Sequence, residues 1–230
     1  MVVRPEGFVV VLPVKSPGSG KSRLATLTAE ERTRLAAAFA RDAVVACLST
    51  PSVVGVLVVS DDPGFAAELA ALGAATCADP GDGLNAALRR AAARARETWP
   101  DAQPVALCAD VPALRAAELA LALARARSDG GAWFVRDADG TGTTLYTAAY
   151  DAFDPRFGPG SAAAHAAAGA VPVPGDLPGL RRDVDDARTL AAAVDLGVGA
   201  ATAAALPGRP SGPAADAGRA ALPEESGPIS

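Results

Sequence analysis

Four short apolar runs mark the first half of the chain, and each is continuous rather than alternating. They are FVVVLPV at 8–14, VVGVLVV at 53–59, AATCA at 74–78 and PVALCA at 104–109. Strands of a parallel sheet have this pattern because helices cover both of their faces. The runs therefore predict a buried parallel sheet.

Segments with helical periodicity separate these runs, at 28–48, 64–73, 84–99 and 115–128. The first segment opens with Thr28 and Glu31 in the spacing of a capping box, and it keeps apolar residues on one face. Strands that alternate with helices predict an α/β fold of three layers, α/β/α, with a mostly parallel sheet.

Beyond residue 131 the pattern changes. The segments AWFVRD and TTLYTA flank a glycine-containing turn, which predicts a β-hairpin insertion, and short helices follow near 161–169 and 187–197. From Pro207 the sequence is rich in Pro, Gly and Ser and has no aromatic residue, as in disordered segments. We expect one folded domain over 1–206 and a disordered tail over 207–230.

Composition narrows the set of partners. The chain has 230 residues, a net charge of −5 and a pI of about 4.9, which give no electrostatic argument for binding to nucleic acid or to an anionic membrane. Its three cysteines form no CxxC pair, which favours buried thiols over disulfides or zinc sites. Without a signal peptide or a membrane-spanning run, a cytoplasmic protein is expected. The sequence leaves the oligomeric state open.

The loop after the first strand, KSPGSGKSR at 15–23, ends in the Gly-Lys-Ser of nucleotide-binding phosphate loops. The match fails twice, because Lys15 stands where the motif needs its first glycine and the helix is delayed until Thr28. What remains are three cations, Lys15, Lys21 and Arg23, that can surround a triphosphate at the carboxyl end of a strand. The alternative is a solvated surface loop.

Three aspartates are candidate metal ligands. Asp110 ends the fourth apolar run, at the sheet edge where ligands bind in open α/β folds. Asp183 and Asp185 alternate, so in an extended segment their carboxylates share a face and repel each other unless a cation lies between them. Their oxygen atoms suit Mg²⁺. The alternatives are a turn role for Asp110 and a helix cap for Asp185 or Asp186.

A second anion site is predicted around the hairpin turn and the helix after it. Gly140, Gly142 and Gly158 allow backbone amides to approach a ligand, Thr143 offers a hydroxyl, and Ser161 stands where a helix cap is expected. The alternative is an ordinary turn followed by an ordinary cap.

Two further residues have open roles. Asn85 is a helix cap, or a group that binds the base or ribose of a nucleotide. His165, the only histidine, faces either the anion or the surface, and the chemistry needs no base from it.

Taken in order, seven motifs resemble one family, the guanylyltransferases that begin side-chain assembly of the deazaflavin coenzyme F-420. They cover roughly residues 8–202 and read VKSPGSGKSRLA, GLNAAL, ADVPAL, GTGTT, RFGPGSAAAH, GLRRDVDD and LGVGAAT. Two departures are Ala109, where the family often has glycine, and Asp186, where it often has threonine. Both presumed ligands of the DVDD motif are kept.

The resemblance implies a nucleotidyltransferase fold related to the molybdenum-cofactor nucleotidyltransferases and to glycosyltransferases of A type. It implies that the lysine loop and the three aspartates surround GTP and Mg²⁺, and that Thr143, Gly158 and Ser161 bind the acceptor. The resemblance implies that this acceptor is phosphoenolpyruvate, 2-phospho-L-lactate or 3-phosphoglycerate, depending on the member of the family. The alanine-rich sequence resembles the actinobacterial branch, for which phosphoenolpyruvate is expected.

Three other functions remain to be separated from this one. Asp183-Val184-Asp185 also fits the Asp-x-Asp of a glycosyltransferase or sugar-nucleotide synthase. A phosphate-loop kinase or GTPase is disfavoured by the loop. A nucleotide-binding regulatory module would bind GTP without turnover and would need no second anion site.

Overall fold

The computed structural model describes residues 6–19, 24, 26–79 and 81–208. Lys21 and Arg23 lie outside the described residues, and so does the part of the predicted tail from residue 209 onward.

One sheet of seven strands forms the centre of the domain, in the order β3-β2-β1-β4-β6-β5-β7. Strand β6 is antiparallel to both of its neighbours, and the other strand pairs are parallel. The predicted mostly parallel sheet with a hairpin insertion is therefore confirmed. The strands are β1 Gly7–Val14, β2 Val53–Ser60, β3 Ala75–Ala78, β4 Ala102–Leu107, β5 Trp133–Arg136, β6 Thr143–Thr147 and β7 Val171–Pro172.

The helices that the sequence predicts are all present, within a few residues of their expected bounds. Two short helices and the short strand β7 were not expected. The helices are α1 Ala29–Leu48, α2 Pro63–Ala70, α3 Leu84–Thr98, α4 Ala116–Asp129, α5 Ser161–Ala167, α6 Pro178–Arg181, α7 Ala187–Leu196 and α8 Ala200–Ala205. Turns of 3-10 helix cover Pro17–Ser19 and Tyr150–Ala152.

Helix α1 begins where its capping box predicts. The Thr28 hydroxyl accepts from the amide of Glu31, and the Glu31 carboxylate accepts from the amide of Thr28 at 2.8 Å. The helix N-terminus is thus several residues beyond Gly-Lys-Ser. This placement confirms that the loop after β1 is not a phosphate loop of the ATPase or GTPase type.

The sheet has a core on each face. Along β1, Phe8, Val10 and Leu12 belong to one apolar cluster and Val9 and Val11 to the other, and all five are fully buried. Burial of a large aliphatic side chain contributes about 1.5–3 kcal/mol. The continuous apolar run of β1 thus reflects helices on both of its faces, which is the three-layer arrangement predicted from the sequence.

A third, smaller cluster joins α1 to the C-terminal helices. The Asp42 carboxylate on α1 accepts hydrogen bonds from the amides of Ala201 and Thr202, at 2.9 and 2.8 Å, and so caps α8 from outside. The amide of Gly199 donates to the carbonyl of Pro112 at 2.9 Å. A side chain at 199 would overlap Asp42, since a Cβ there lies 2.3 Å from its carboxyl carbon. The LGVGAAT motif therefore joins α8 to α1 and to the segment that follows β4.

The cysteines agree only in part with the buried thiols expected from the sequence. Cys47 is fully buried, and burial raises the pKa of its thiol to about 12. Cys77 and Cys108 are only half-buried, so the prediction of buried thiols is wrong for them. None of the helices in the described part of the chain is long and apolar enough to cross a membrane.

His165 lies in the core between α5 and the sheet. It is fully buried, and its ring stacks on Tyr146 with centroids 4.7 Å apart and meets the edge of Phe157 at 5.6 Å. The surface position that the sequence left open is therefore wrong. Burial lowers the pKa of His165 to about 4, partly opposed by the backbone carbonyl of Ser161.

Acid should destabilise the protein through this histidine. The unfolded chain binds a proton at the ordinary pKa of 6.5, whereas the folded ring stays neutral down to about 4. The stability contribution is therefore complete above about pH 6.5 and is lost as the pH falls toward 4. Between about pH 7.5 and about pH 5, we expect the wild type to lose about 2 kcal/mol more unfolding free energy than His165→Gln.

Urea unfolding of both proteins at the two pH values measures this difference. Carboxylates common to the two proteins cancel in the comparison. The same pH dependence in both would contradict the assignment of a neutral, buried ring.

Candidate active site

A cavity of about 610 Å³ opens at the carboxyl ends of β1 and β4. Its size is that of a small-molecule site, and its place is the edge where open α/β sheets bind ligands. Its walls come from the end of β1 and the loop after it, from α1, from the loop before α3 and the start of that helix, from the residues that follow β4, and from the loop before α7. They are Pro13, Val14, Lys15, Ser16, Pro17, Ala36, Phe39, Ala40, Asp79, Gly81, Gly83, Leu84, Cys108, Ala109, Asp110 and Asp185.

Lys15 follows β1 directly, is exposed and lines the cavity. The next residue holds the loop in place: the Ser16 amide donates to Asp61 at 2.9 Å, and its hydroxyl donates to Asp62 at 3.1 Å. Both aspartates follow β2, so the loop after β1 is tied to the neighbouring strand. The roles predicted for Lys21 and Arg23 stay predictions, since both lie outside the described residues.

Two distant acidic segments meet at this cavity. The amide of Val184 donates to the carbonyl of Asp110 at 3.0 Å, which brings the end of β4 beside the DVDD motif. Asp110 and Asp185 both line the cavity wall. The structure thus brings together the three aspartates that the sequence predicts as metal ligands, and two of them, Asp110 and Asp185, line the cavity that Lys15 also lines.

Asp183 carries the electrostatic signature of this cluster. Burial raises its pKa, and the neighbouring carboxylates of Asp110, Asp185 and Asp137 raise it further, to about 6 from an ordinary 3.8. Negative charge is therefore concentrated where a cation would be stabilised.

The acidic cluster suits Mg²⁺ only in one mode of binding. In the described part of the chain, no group of three or more His, Cys, Asp or Glu side chains is arranged to hold a metal by itself. Mg²⁺ usually takes one or two carboxylates and completes its shell with water and substrate phosphates. The donor set fits that mode of binding rather than a closed protein cage. The assignment of Asp110, Asp183 and Asp185 as ligands stays a prediction.

Helix capping, the alternative role for the DVDD motif, applies to one of its aspartates. Asp186 is the N-cap of α7, and its carboxylate accepts from the amide of Thr189 at 2.8 Å. The amide of Asp185 donates to the Thr189 hydroxyl at 3.0 Å. Capping therefore does not account for the carboxylates of Asp183 or Asp185.

The three predicted acceptor residues also lie near one another. The Oγ1 atom of Thr143 is 3.0 Å from Nδ1 of His165, which follows Ser161 by one turn of α5. The amide of Ser161 donates to the carbonyl of Gly158 at 3.1 Å. The thiol of Cys108, which lines the cavity, donates to the carbonyl of Thr143 at 3.5 Å. Thr143 thus contacts a residue of the cavity wall, whereas none of the three predicted acceptor residues is itself part of that wall.

Two details of this region differ from expectation. Ser161 is not the cap of α5, because Gly160 holds that position with a left-handed φ of 71° and Ser161 is the first helical residue. The amide of Gly142 does not face a ligand, because it donates to the Asp137 carboxylate at 2.7 Å. Asp137 also accepts from the amide of Thr141, so this side chain holds the hairpin turn together.

Asn85 has a definite structural partner. Its amide nitrogen donates to the carbonyl of Phe157 at 2.9 Å, and its oxygen accepts from the amide of Phe157 at 2.8 Å. Gly83, not Asn85, is the N-cap of α3, so the capping alternative is wrong. The side chain joins α3, beside the cavity, to the loop that carries Gly158. One N–H and one lone pair remain for a nucleotide, so that role stays a prediction.

Sequence reasoning missed Asp137, Asp61 and Asp62 as parts of the site. Asp137 and Asp61 stand directly after a strand and Asp62 one residue later, in VRD and in VVSDD, at the same edge of the sheet as Asp110. That position was the available signal. The sequence does not show which groups form hydrogen bonds with each carboxylate.

Known proteins resemble this chain in sequence and in fold. The profile of the family described as guanylyl transferase CofC like matches residues 8–169. A protein of Geodermatophilus obscurus named phosphoenolpyruvate guanylyltransferase is 48% identical over 220 residues, which cover 92% of this chain and 100% of that protein. A protein of the same name from Thermomonospora curvata is 50% identical over 199 residues, which cover 85% of this chain and 86% of that protein.

Among solved structures, a nucleotidyl transferase from Methanothermobacter has a TM-score of 0.53 at 18% identity, over 83% of this chain and 97% of that one. At such low identity the likeness supports the fold alone. The family match extends over β1–β6, Asp110 and the predicted acceptor residues, and it ends before Asp183 and Asp185. This chain belongs to the CofC-like guanylyl transferase family.

Proposed function

We propose that the protein transfers the GMP group of GTP to phosphoenolpyruvate. The products are enolpyruvoyl-2-diphospho-5'-guanosine and diphosphate, in the guanylylation step of coenzyme F-420 biosynthesis. The relatives named phosphoenolpyruvate guanylyltransferase support this choice of acceptor. A cytoplasmic location, where GTP is supplied, suits the reaction.

One observation supports the proposal above the others. The hydrogen bond of 3.0 Å from Val184 to Asp110 brings two acidic segments to the cavity lined by Lys15. Carboxylates opposite a cationic loop are the arrangement expected around a metal-bound triphosphate, in which the lysine neutralises phosphate charge.

The reaction joins two anions, and charge repulsion is its main obstacle. An oxygen of the acceptor phosphate forms a bond to the α-phosphorus of GTP, while the bond from that phosphorus to the bridging oxygen of the diphosphate breaks. The acceptor phosphate is already anionic near neutral pH, because its second pKa is about 6. No general base is required, in keeping with a single histidine that is buried and neutral.

Positioning and charge compensation are left to the protein. Asp110, Asp183 and Asp185 would hold Mg²⁺, which when bound neutralises phosphate charge. Lys15, which lines the same cavity, would bind the phosphates of GTP together with Lys21 and Arg23. The Thr143 hydroxyl and the Gly158–Ser161 segment would bind the carboxylate and phosphate of phosphoenolpyruvate.

The choice of acceptor can be measured directly. The protein is incubated with GTP, Mg²⁺ and an equal mixture of phosphoenolpyruvate, 2-phospho-L-lactate and 3-phosphoglycerate, and the products are identified by mass spectrometry. We expect the enolpyruvoyl product to dominate, with one diphosphate released per product. A dominant lactyl or glyceryl product would change the acceptor but keep the chemistry. Phosphate release, or no turnover, would contradict guanylyl transfer.

Replacing Asp183 by asparagine should separate catalysis from stability. We expect kcat to fall roughly 100-fold or more, because a ligand of the Mg²⁺ that would neutralise the charge of the transferring phosphate is lost. The melting temperature should not fall, since the neighbouring carboxylates raise the pKa of Asp183 and its removal relieves repulsion.

Asp195→Asn, an exposed aspartate on α7, is the matched control and should retain activity. Near-normal kcat in Asp183→Asn would exclude a metal-ligand role for that residue.

Asn85→Ala tests which substrate depends on this side chain. Because both of its described hydrogen bonds hold Phe157, beside Gly158, we expect the KM for phosphoenolpyruvate to rise roughly 5- to 10-fold and that for GTP to change less. Asn85→Asp keeps the acceptor for the Phe157 amide and should have a smaller effect. Initial rates with either substrate varied give both constants, and a rise confined to GTP would support the nucleotide-binding role instead.

A further inference from the structure

The single imidazole of the chain is hydrogen-bonded at both of its nitrogens. The amide of Arg156 donates to Nε2 of His165 at 2.9 Å, and Nδ1 lies 3.0 Å from Oγ1 of Thr143. The ring itself is fully buried against Tyr146 and Phe157. Its orientation is therefore fixed from every side, and its protonation follows from its partners.

A backbone amide can only donate, so Nε2 must be the nitrogen without a proton. Burial disfavours the charged form of the ring, so a neutral His165 carries its one proton on Nδ1. Nδ1 then has no lone pair with which to accept a hydrogen bond.

The consequence falls on the hydroxyl of Thr143. Since Nδ1 cannot accept, Oγ1 of Thr143 is the acceptor in this contact and its own proton must go elsewhere. On the same strand, the hydroxyl of Thr147 donates to the carbonyl of Pro104 at 2.8 Å. Among the described residues no such acceptor takes the proton of Thr143, which is 6% exposed beside the cavity-lining Cys108.

We propose that His165 is a positioning residue, whose Nδ1–H holds the Thr143 hydroxyl as a hydrogen-bond donor toward an anionic oxygen of the acceptor. The histidine contacts no substrate and transfers no proton. This inference rests on the proposed function for the identity of the acceptor, but the tautomer does not depend on it.

The other nitrogen links the same ring to the loop before α5. The amides of Arg156 and Phe157 are consecutive, and His165 accepts from the first while Asn85 accepts from the second. The backbone that leads to Gly158 and Ser161 is therefore held between two helices. His165 thus connects the hydroxyl of Thr143 to the conformation of this loop.

The tautomer is tested without substrates. The untagged protein contains one histidine, so ¹⁵N labelling of histidine gives the signals of a single imidazole. Near neutral pH we expect a protonated Nδ1 and an unprotonated Nε2. A protonated Nε2, alone or in an imidazolium, would overturn the inference, whatever reaction the protein catalyses.

The consequence for the acceptor is tested by a double-mutant cycle. His165→Leu removes the donor, and we expect it to raise the KM for phosphoenolpyruvate roughly 5- to 10-fold with a smaller change for GTP. His165→Asn can place an amide N–H near the position of Nδ1 and should recover much of the loss. Thr143→Val should raise the same constant, and adding His165→Leu to it should raise it little further.

Additive effects in the cycle, or equal changes for both substrates, would show that His165 acts only through stability and would overturn the inference. If His165→Leu does not fold, two measurements still test the inference. They are the comparison of His165→Asn with Thr143→Val and the spectrum of the imidazole. Failure of the wild type to guanylylate phosphoenolpyruvate would refute the proposed function, and the spectrum would still decide on the tautomer.

Discussion

A single main-chain hydrogen bond, from the amide of Val184 to the carbonyl of Asp110, gives the site its form. It joins the end of β4 to the loop before α7. Val184 is fully buried, and in an extended segment the residues on either side of a buried one face away from it. Burial of this one valine therefore brings Asp183 and Asp185 to the edge of the sheet where Asp110 lies.

The surrounding structure stabilises that contact. The third apolar cluster packs Val184 with Ala113 and with Phe39 of α1. Helix α8 is held by the carboxylate of Asp42, and Gly199 donates to Pro112, two residues beyond Asp110. Short helices of this size are not stable alone, so packing and an external cap must supply what propensity does not. The C-terminal helices thus hold the acidic segments together from behind.

The acidic cluster costs stability in the absence of a cation. The raised pKa of Asp183 records that cost, since burial and the neighbouring carboxylates both disfavour its ionised form. Groups held in an unfavourable electrostatic state are common at functional sites, because the ligand relieves the repulsion. By contrast Asp137, Asp61 and Asp62 accept hydrogen bonds from the protein and serve to fix loops. Aspartates at one sheet edge thus have two physically different roles.

Much of the fold could be predicted because its signals are local. The continuous apolar runs identified β1–β4, and Thr28 fixed the start of α1 to the residue. Short elements such as α6 and α8 had too few residues for a periodic pattern, and their stability comes from distant contacts.

For the site, the residue types indicated the chemistry. They did not show which residues far apart in the sequence contact each other. Asn85 meets Phe157 across 72 positions of chain. The burial of His165 could not be derived, because an alanine-rich helix has no distinct apolar face to show which side packs against the sheet.

The most direct test is a crystal structure with a non-hydrolysable GTP analogue and Mn²⁺, whose anomalous signal locates the metal. We expect one peak within bonding distance of carboxylate oxygens of Asp110 and of Asp183 or Asp185, with the triphosphate between the metal and Lys15. Loss of the peak in an Asp183→Asn crystal would support that assignment. A metal bound to carboxylates of only one of the two segments, or to phosphate alone, would contradict it.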